Sequence, residues 1–599
     1  MQFHTRSFRA AVFALVFLQL ADAADLSPDK WTPTDKNRVE ALEMRFFPSQ
    51  ARTIQGSSAI ICNTGSPIAV HAGIEALKQG GTAADAAATV ALTQISVWLG
   101  SVVSYGGVLH LVYYEAKSGK TYSLDAGWNS YHGETSPRTI PVSDLRALGA
   151  PRPVTTGAEG RKTLVPGFMA GIEAMHQRFG RLPFAQLFQP AIWYAENGVS
   201  VTPVESAWFQ QYGKTLSRTP EGQKFLHQAS NSFPKAGDRF VQAELAKTLR
   251  GVTKQGARYM YLGPWGKQFV AAVEREGGKV TMQDMKNYRP TWEEPLSTSF
   301  GDTTIVGPGK SNEAAHQVLE ALNLITELRL EQMAPYWRDA SVFRKLSQVL
   351  QLVEIGPFMT PEVSDYQQKN GLAFSPEDRI TKAYAKAMAP FVGELQGAMT
   401  PRQGSHHSAG TVVIDRWGNI AAIVHTIEDG VWGSTGIVVG GIPLSGVAGS
   451  QQALLSTIKP GDRLPGLPSP IIVMSGNKPV LALATVGVSE IPEIVRVVLG
   501  SVGNHLDLQT VITAPPLLFN FEAPQAGESH TWKRVFVPEG AYNAEFLSSL
   551  EASGLRVQQK AHAQVLGLRG TAAMATIDPR TGMRHSAEDP AIIDFAATY

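Results

Sequence analysis

The chain has 599 residues, of which 43% are hydrophobic and 18% charged, with 53 Lys and Arg against 52 Asp and Glu. This composition is that of an ordinary globular protein with enough apolar residues for a large core. A net charge of +1 and a pI near 7.8 provide neither a basic surface for nucleic acid nor an acidic tail for a cationic partner. We therefore expect no nucleic acid partner.

Residues 1–23 have the pattern of a secretory signal peptide. Arg6 and Arg9 precede the apolar run Ala10–Leu20, and the small residues Ala21–Ala23 follow it. The run is shorter than the roughly 20 residues that a membrane-spanning helix needs. We expect removal of this segment, secretion, and no membrane attachment afterwards. The alternatives are residence in the lumen of the secretory pathway and an uncleaved signal anchor.

The first part of the chain is rich in predicted helices, with short apolar strands between them. Ala59–Asn63 is a strand candidate, and Ser66-Pro67 has the cap and first-turn residues of a helix. The small residues of Thr82–Ala88 predict a helix that packs very closely on its neighbours. Other predicted elements are the strands Val108–Tyr114, Thr121–Asp125 and Thr298–Val306 and the helices Phe168–Phe179, Phe184–Asn197 and Asn312–Leu328.

At Ser408 a polar approach gives way to a strand-rich second part. A predicted hairpin follows, with the strands Thr411–Ile414 and Ile420–Ile427 joined by the turn Asp415–Asn419. A small hydroxyl residue at the mouth of a strand is where a chain-terminal nucleophile would lie if the chain were cut before it. Taken alone, the segment also fits a loop without a chemical role. Helices first and strands later predict layered α and β structure in one body.

Cysteine and histidine give little support for a metal site. Cys62 is the one cysteine, so a disulfide within the chain and a cysteine-based metal site are excluded. His406-His407 would suit a metal, but no nearby carboxylate or cysteine has ligand spacing. We expect no metal and no cofactor.

A series of motifs, in order from about residue 55 to residue 599, resembles the signature of the γ-glutamyltranspeptidase (glutathione hydrolase) family. The resemblance implies an α+β fold, the four-layer αββα sandwich of N-terminal-nucleophile hydrolases. It also implies a precursor that cuts itself into two associated subunits. The motifs are Pro67–Gly73, Gly80–Ala87, Val165–Gly167, Arg178–Pro183, Gln189–Ile192, Asp415–Asn419, Ser469–Val473 and Asp589-Pro590.

The family nucleophile is normally the first Thr of a Thr-Thr-His-x-x-Val-Val-Asp stretch. Counting back from Asp415 without gaps puts Ser408 at that position. The resemblance therefore implies cleavage before Ser408, a large-subunit region 24–407 and a small-subunit region 408–599. Ser405 is an alternative nucleophile, but its alignment needs a three-residue gap.

The resemblance assigns further catalytic roles around this nucleophile. Thr426 occupies the position of a supporting Thr whose hydroxyl orients the nucleophile. Gly487 and Val488 stand where the family has a Gly-Gly pair that supplies oxyanion-hole amides, a role that backbone N–H groups fill. His425 and Glu428 are alternative catalytic groups, and we expect one to face the core and the other to line the site.

The substrate-binding positions depart from the family pattern. Gly127 replaces the Arg that pairs with the glutamyl carboxylate, and Glu428 replaces an Asn. Gly466 and Leu467 replace a Ser-Ser pair, and Gly440–Gly446 replaces a loop whose Asp holds the substrate amine. Loss of the bidentate Arg pair and of this counter-charge would weaken recognition by on the order of several kcal/mol.

Together these patterns predict a secreted γ-glutamyltranspeptidase-like hydrolase and acyltransferase. It would cleave a γ-glutamyl-type amide, such as glutathione or a glutathione-derived adduct, through an acyl-enzyme on Ser408, and pass the acyl group to water or an amine. One alternative is an amide acylase acting on a specialised apolar metabolite. The other is an uncleaved, non-catalytic protein with a binding or structural role. Ser408 and Thr426 favour catalysis, whereas the altered pocket favours a changed donor.

Overall fold

A computed structural model describes residues 24–45, 52–142, 157–226, 232–355, 361–392, 408–518, 534–589 and 595–599. The predicted signal peptide and the residues Ser405, His406 and His407 lie outside these ranges. Within them, no helix combines the length and the apolar character that crossing a bilayer requires.

The chain forms strands throughout its length, numbered from the N-terminus. They are β1 (Arg52–Gly56), β2 (Ile60–Asn63), β3 (Val108–Glu115), β4 (Lys120–Ala126), β5 (Val199–Ser200), β6 (Arg239–Phe240), β7 (Thr291–Glu293), β8 (Leu296–Phe300), β9 (Thr303–Gly307), β10 (Ser408–Ile414), β11 (Ile420–Thr426), β12 (Val438–Val439), β13 (Ile442–Pro443), β14 (Ile471–Ser475), β15 (Lys478–Gly487), β16 (Arg534–Pro538), β17 (Arg556–Lys560), β18 (Gly570–Ile577), β19 (Arg584–Glu588) and β20 (Phe595–Thr598).

The helices are numbered in the same way. They are α1 (Pro33–Glu43), α2 (Pro67–Lys78), α3 (Ala83–Val97), α4 (Phe168–Phe179), α5 (Gln189–Asn197), α6 (Pro203–Leu216), α7 (Pro220–Leu226), α8 (Ala243–Gln255), α9 (Arg258–Tyr261), α10 (Pro264–Arg275), α11 (Met282–Asn287), α12 (Glu313–Glu327), α13 (Ala340–Ile355), α14 (Pro361–Lys369), α15 (Lys382–Met388), α16 (Val447–Ser450), α17 (Gln452–Leu455), α18 (Glu490–Val498), α19 (Leu508–Thr513), α20 (Ala544–Ala552) and α21 (His562–Leu568).

Two seven-stranded antiparallel sheets form the middle of the molecule. The first sheet has the order β20-β2-β10-β11-β3-β4-β7, and the second has the order β1-β19-β18-β15-β14-β9-β8. Each sheet takes strands from both sides of residue 408. The chain before Ser408 and the chain after it therefore complete each other's sheets and share one core.

Helices cover the outer face of each sheet, which gives four layers. Helices α3 and α4 pack on β3, β10 and β11 of the first sheet, while α12 and α18 pack on the second sheet. Small and branched apolar residues fill the space between the sheets, among them Val412 of β10 and Ala482 of β15. This arrangement confirms the predicted α+β, four-layer αββα sandwich.

Local sequence explains the helix starts near the site. Ser66 caps α2 by accepting from the backbone N–H of Ala69, and Thr82 forms a capping box with Asp85 at the start of α3. The predicted single strand Thr298–Val306 is wrong, because Gly301 (φ 60°) and the next residue form a turn that separates β8 from β9.

The predicted helix Phe184–Asn197 also differs in detail. It starts as a 3-10 helix, Phe184–Phe188, before α5 begins. Pro190 lies in the first turn of α5, where its missing N–H costs no helical hydrogen bond.

Candidate active site

The predicted nucleophile lies in a row of residues across one end of the first sheet. Ser408 begins β10 and pairs directly with Thr426, the last residue of β11. Thr426 in turn pairs with Val108, the first residue of β3. Gly127 directly follows β4, whose last residue pairs with Leu109 beside Val108. Antiparallel register thus brings Ser408, Thr426 and Gly127 to the same end of the sheet, although they are far apart in sequence.

The side chains of this row face the second sheet. Because side chains alternate along a strand, Ser408 shares its face with Gly410 and Val412, and Val412 lies in the core between the sheets. At Gly410 the sheets approach so closely that an added Cβ would overlap the carbonyl oxygen of Ala484 on β15. The strand of Ser408 therefore packs directly on β15, the strand that ends at Gly487.

The positions predicted to supply the oxyanion hole lie at the end of β15. Gly487 is the last residue of that strand, and Val488 follows it before α18 begins. Both residues are half-buried, as Ser408 is. Gly487 has a φ of 105°, and a Cβ there would lie 2.6 Å from the carbonyl oxygen of Arg569. Glycine is thus required at position 487 for conformational and for steric reasons.

Glu428 connects the row to the loop that follows Gly127. Its backbone N–H donates to the Thr426 hydroxyl at 2.9 Å, and its carboxylate accepts from the indole N–H of Trp128 at 3.1 Å. Glu428 has a φ of 49°, which is uncommon for a residue with a side chain. These bonds hold the residue in that conformation, with its side chain buried against the predicted substrate pocket.

The two glycines predicted to lie in the substrate pocket meet at His110. A Cβ on Gly466 would lie 2.6 Å from His110 Cε1, and one on Gly127 would lie 3.5 Å from the same atom. His110 is 1% exposed and pairs with Val424 and with Asp125, two residues along β3 from Val108 in the row of Ser408. The structure therefore joins two predicted positions, 127 and 466, through a histidine that the sequence analysis did not single out.

A guanidinium lies beside this histidine, but its nitrogens are already bound. Arg463 Cδ lies 3.4 Å from the Cβ that Gly127 lacks. Its Nε donates to Asn129 at 2.5 Å, and its Nη1 lies 3.1 Å from Asp125 Oδ2. Its Nη2 donates to the carbonyl oxygen of Arg289 at 2.7 Å. The positive charge next to the pocket is thus neutralised by Asp125 and held by the fold.

Trp128 belongs to an apolar cluster that borders the predicted row. It packs with Val108, Ile140, Leu164 and Leu455. The last three also line a cavity of about 370 Å³, whose other lining residues include Glu134 and Arg161. Trp128 and the predicted site residues do not line this cavity, so only the cluster bounds the row. Leu467 is also buried, and the structure does not link it to the other pocket residues by a hydrogen bond.

Asp429 organises the loop that replaces the family's amine-binding segment. Its carboxylate accepts from the backbone N–H groups of Gly430, Ser434 and Gly446. Burial raises the pKa of Asp429 above its ordinary value, and the three N–H groups oppose that rise. Asp429 is completely buried, so it supports this loop from within.

His425 faces the helix layer. It is completely buried and packs 5.4 Å from the ring of Phe168 on α4, on the side of β11 opposite to the predicted nucleophile. Burial lowers the pKa of His425 to about 3. Of the two alternative catalytic groups, His425 is therefore the core residue and Glu428 lies at the site.

In the part of the chain that the structure describes, no group of three or more His, Cys, Asp or Glu side chains could hold a metal ion. Cys62 is buried in the core between the sheets. The adjacent histidines at 406 and 407 fall outside the described ranges.

Sequence reasoning missed Trp128, His110 and Arg463. His110 had a usable signal, because it is a polar residue within the otherwise apolar strand Val108–Tyr114. Trp128 directly follows a predicted pocket residue. Arg463 gave no local signal, because its place depends on a loop that reaches Asn129 from more than 300 positions away.

Two antiparallel sheets between helix layers, with a strand opening on a small hydroxyl residue at their shared end, define the class of N-terminal-nucleophile hydrolases. The family model described as Gamma-glutamyltranspeptidase matches residues 69–587. The chain belongs to this family, whose members are amide hydrolases and acyl transferases.

Individual relatives agree with this assignment. The chain is 27% identical to a glutathione hydrolase proenzyme of Pseudomonas aeruginosa over 476 residues, which cover 73% of this chain and 79% of the relative. It is 25% identical to the acylase ACY 1 proenzyme of a Pseudomonas species, over 78% of this chain and 84% of that protein. The solved cephalosporin acylase of Bacillus halodurans has a similar fold, with a TM-score of 0.75 at 20% identity, over 92% of this chain and 98% of that one.

Proposed function

We propose that the chain is a self-cleaving amide hydrolase and acyltransferase whose nucleophile is Ser408. The observation that carries the proposal is the pairing of Ser408 with Thr426 at the open end of the first sheet, on the face toward β15. A hydroxyl there lies beside a second hydroxyl, on a strand that packs against β15 of the second sheet, whose last residue is Gly487. This arrangement favours catalysis over a purely structural role.

Self-cleavage would proceed by an acyl shift. The Ser408 hydroxyl oxygen attacks the carbonyl carbon of His407, and the peptide C–N bond breaks as the nitrogen takes up the hydroxyl proton. The product is an ester between the two residues, with the amine of Ser408 already free. Water then hydrolyses the ester to a carboxylate on His407 and restores the hydroxyl of Ser408. The products would be a large subunit ending at residue 407 and a small subunit, 408–599, held together by the sheets that they share.

The new amine would then serve as the general base. An α-amino group has a pKa of about 7.7–8.0, so it can take the proton of its own hydroxyl near neutral pH. The activated oxygen attacks the donor amide, the amine leaves with that proton, and an acyl-enzyme ester remains. Backbone N–H groups at Gly487 and Val488 are proposed to stabilise the oxyanion. Water or a second amine then takes the acyl group.

A donor unlike glutathione is the second candidate within this chemistry. Its support is the apolar cluster of Trp128, Leu164 and Leu455, which also contains Val108 of the row. The chain is similar to an acylase proenzyme as well as to a glutathione hydrolase proenzyme. An acylase with a largely apolar donor therefore accounts for the pocket better than efficient glutathione hydrolysis does. We also propose secretion through residues 1–23.

Intact-mass spectrometry of the purified chain tests the proposal. The wild type should give two fragments, the smaller beginning with Ser408, and the mass of the larger should report removal of residues 1–23. Ser408→Ala should stay uncleaved, whereas Ser405→Ala should be cleaved as the wild type is. A wild-type chain that remains intact, or cleavage that depends on Ser405 instead, would overturn the assignment of the nucleophile.

A further inference from the structure

We propose that His110 is a specificity-determining residue, which binds a neutral hydrogen-bonding group of the acyl donor where a carboxylate would otherwise be bound. This inference rests on the proposed function and specifies its donor. The group would be a carboxamide or a hydroxyl on the acyl chain, close to the carbonyl that Ser408 attacks.

His110 has unused hydrogen-bonding capacity. Both of its ring nitrogens are buried and lack a hydrogen-bond partner among the described residues. The nearest charged atom is Asp125 Oδ1, 3.5 Å from Nδ1 and not in hydrogen-bonding geometry. A buried imidazole without partners is costly, so such a group in a binding region is expected to meet one when a ligand is present.

The imidazole lies where two side chains are missing. Its Cε1 edge faces Gly127 and Gly466, and a Cβ on Gly466 would also lie 2.7 Å from Asn312 Nδ2. Glycine at position 466 is thus needed to leave room for the ring, whereas a Cβ at position 127 would be in ordinary van der Waals contact with it. His110 lies on the same face of β3 as Val108, two residues inward from the row of Ser408, so the ring would form the inner end of the region that an acyl chain enters.

The charges around this region oppose a carboxylate. The guanidinium of Arg463 is bound by Asp125, Asn129 and a backbone carbonyl. Glu428 adds a buried carboxylate beside Trp128. A donor carboxylate would therefore be desolvated next to negative charge, with the neighbouring Arg463 already paired, which is strongly unfavourable.

A neutral group avoids that cost. Burial lowers the pKa of His110, so the imidazole is neutral at physiological pH. In either tautomer it offers one N–H donor and one nitrogen acceptor. A carboxamide or hydroxyl can use either of them without bringing a charge into the pocket.

Two chromogenic donors with the same acyl chain and leaving group test this inference. One is γ-glutamyl p-nitroanilide, and the other is its α-carboxamide analogue. We expect wild-type kcat/KM to be at least about tenfold higher for the carboxamide donor. His110→Leu should lower kcat/KM for that donor about tenfold, mainly through KM, which is the effect of losing one hydrogen bond. The low value for the carboxylate donor should not change.

His71→Leu is the matched control, because His71 is also a buried histidine with an unpartnered Nε2, but it lies on α2 away from the site. His71→Leu should leave the donor ratio, which is kcat/KM for the carboxamide donor divided by that for the carboxylate donor, unchanged. His110→Gln should recover part of the ratio that His110→Leu loses. If His110→Leu is not self-cleaved, the same comparison is made with His110→Gln, which should give a ratio between wild type and unity.

Three results would overturn the inference. A wild-type preference for the carboxylate donor contradicts it directly. A self-cleaved wild type whose donor ratio is the same in the residue-110 variants as in His71→Leu contradicts it while leaving the proposed function intact. A wild type that never cleaves itself overturns the proposed function and the inference together.

Discussion

The two halves of the candidate site are built in different ways. At the nucleophile end, Ser408 and Thr426 are held by backbone pairing in the middle of a seven-stranded sheet. At the acyl-binding end, Gly127, Glu428 and Gly466 come from loops, and side chains from elsewhere fill the space around them. By the family resemblance, the first half keeps a hydroxyl nucleophile, a supporting Thr and a glycine at position 487, with Ser408 in place of Thr and Val488 in place of the second Gly. By the same resemblance, the second half lacks the charged residues expected for recognition of a glutamyl group.

This difference indicates which parts of the molecule can change independently. A strand in the middle of a sheet can change its register only if the neighbouring strands shift with it. The geometry around the nucleophile is therefore difficult to alter. A loop residue can be replaced if a neighbour fills the space, as His110 and Arg463 do around Gly127. We therefore expect the chain to carry out the reaction of its family on a different donor. Three substitutions test this difference between the two ends of the site.

The largest effect is expected at the nucleophile end, from Gly410→Ala. The new Cβ would overlap the carbonyl oxygen of Ala484, so the two sheets would have to separate. We expect a loss of about 3 kcal/mol in the free energy of unfolding, measured by urea denaturation, and reduced self-cleavage. The control is Gly567→Ala, where no atom lies within 4 Å of the added Cβ. Equal stability of the two variants would contradict the close packing of β10 on β15.

At the acyl-binding end, Gly466→Ser should have a smaller effect that a second substitution can reverse. Its Cβ would lie 2.6 Å from His110 Cε1, so the ring must move, at a cost of about 2 kcal/mol in the free energy of unfolding. Adding His110→Ala removes the obstacle at the ring and leaves the one at Asn312 Nδ2, 2.7 Å from the added Cβ. A double-mutant cycle should give a coupling of at least about 1 kcal/mol, and strictly additive effects would mean that the two residues do not meet.

Thr426→Val should have the smallest effect on stability and a clear effect on rate. Valine keeps the shape but removes the hydroxyl that accepts from the N–H of Glu428. We expect a loss of about 1 kcal/mol in stability and a fall in kcat of about ten- to a hundredfold. Thr485→Val is the control, because the buried hydroxyl of Thr485 has no hydrogen-bond partner among the described residues. Similar kinetics of the two variants would remove Thr426 from the proposed catalytic group.

Much of the fold near the nucleophile was predictable because its signals are local. The caps at Ser66 and Thr82 and the turn Asp415–Asn419 depend on residues within a few positions of one another. The β8–β9 hairpin was misread as one strand, because the turn at Gly301-Asp302 is only two residues long and interrupts a run of strand-forming residues.

The sequence predicted where the proposed acyl-binding end lies, but not which side chains surround it. Gly127 and Gly466 were identified through the family resemblance, yet what fills the space beside them depends on long-range register. His110 reaches that space because β3 pairs with β4, and Arg463 reaches it through the bridge to Asn129. The polar His110 within an apolar strand was a local signal, but the sequence gives no local sign of which residues it meets, and Arg463 gave no local signal at all.

The most direct test of a retained nucleophile with a changed pocket is an acid-quench mass measurement. The wild-type protein is mixed with the α-carboxamide donor, quenched in acid within one turnover, digested and mapped by mass spectrometry. We predict the mass of the acyl group on the peptide that begins with Ser408, and a much weaker signal from γ-glutamyl p-nitroanilide. An intact chain with no adduct, or an equal or stronger adduct from the carboxylate donor, would contradict this account.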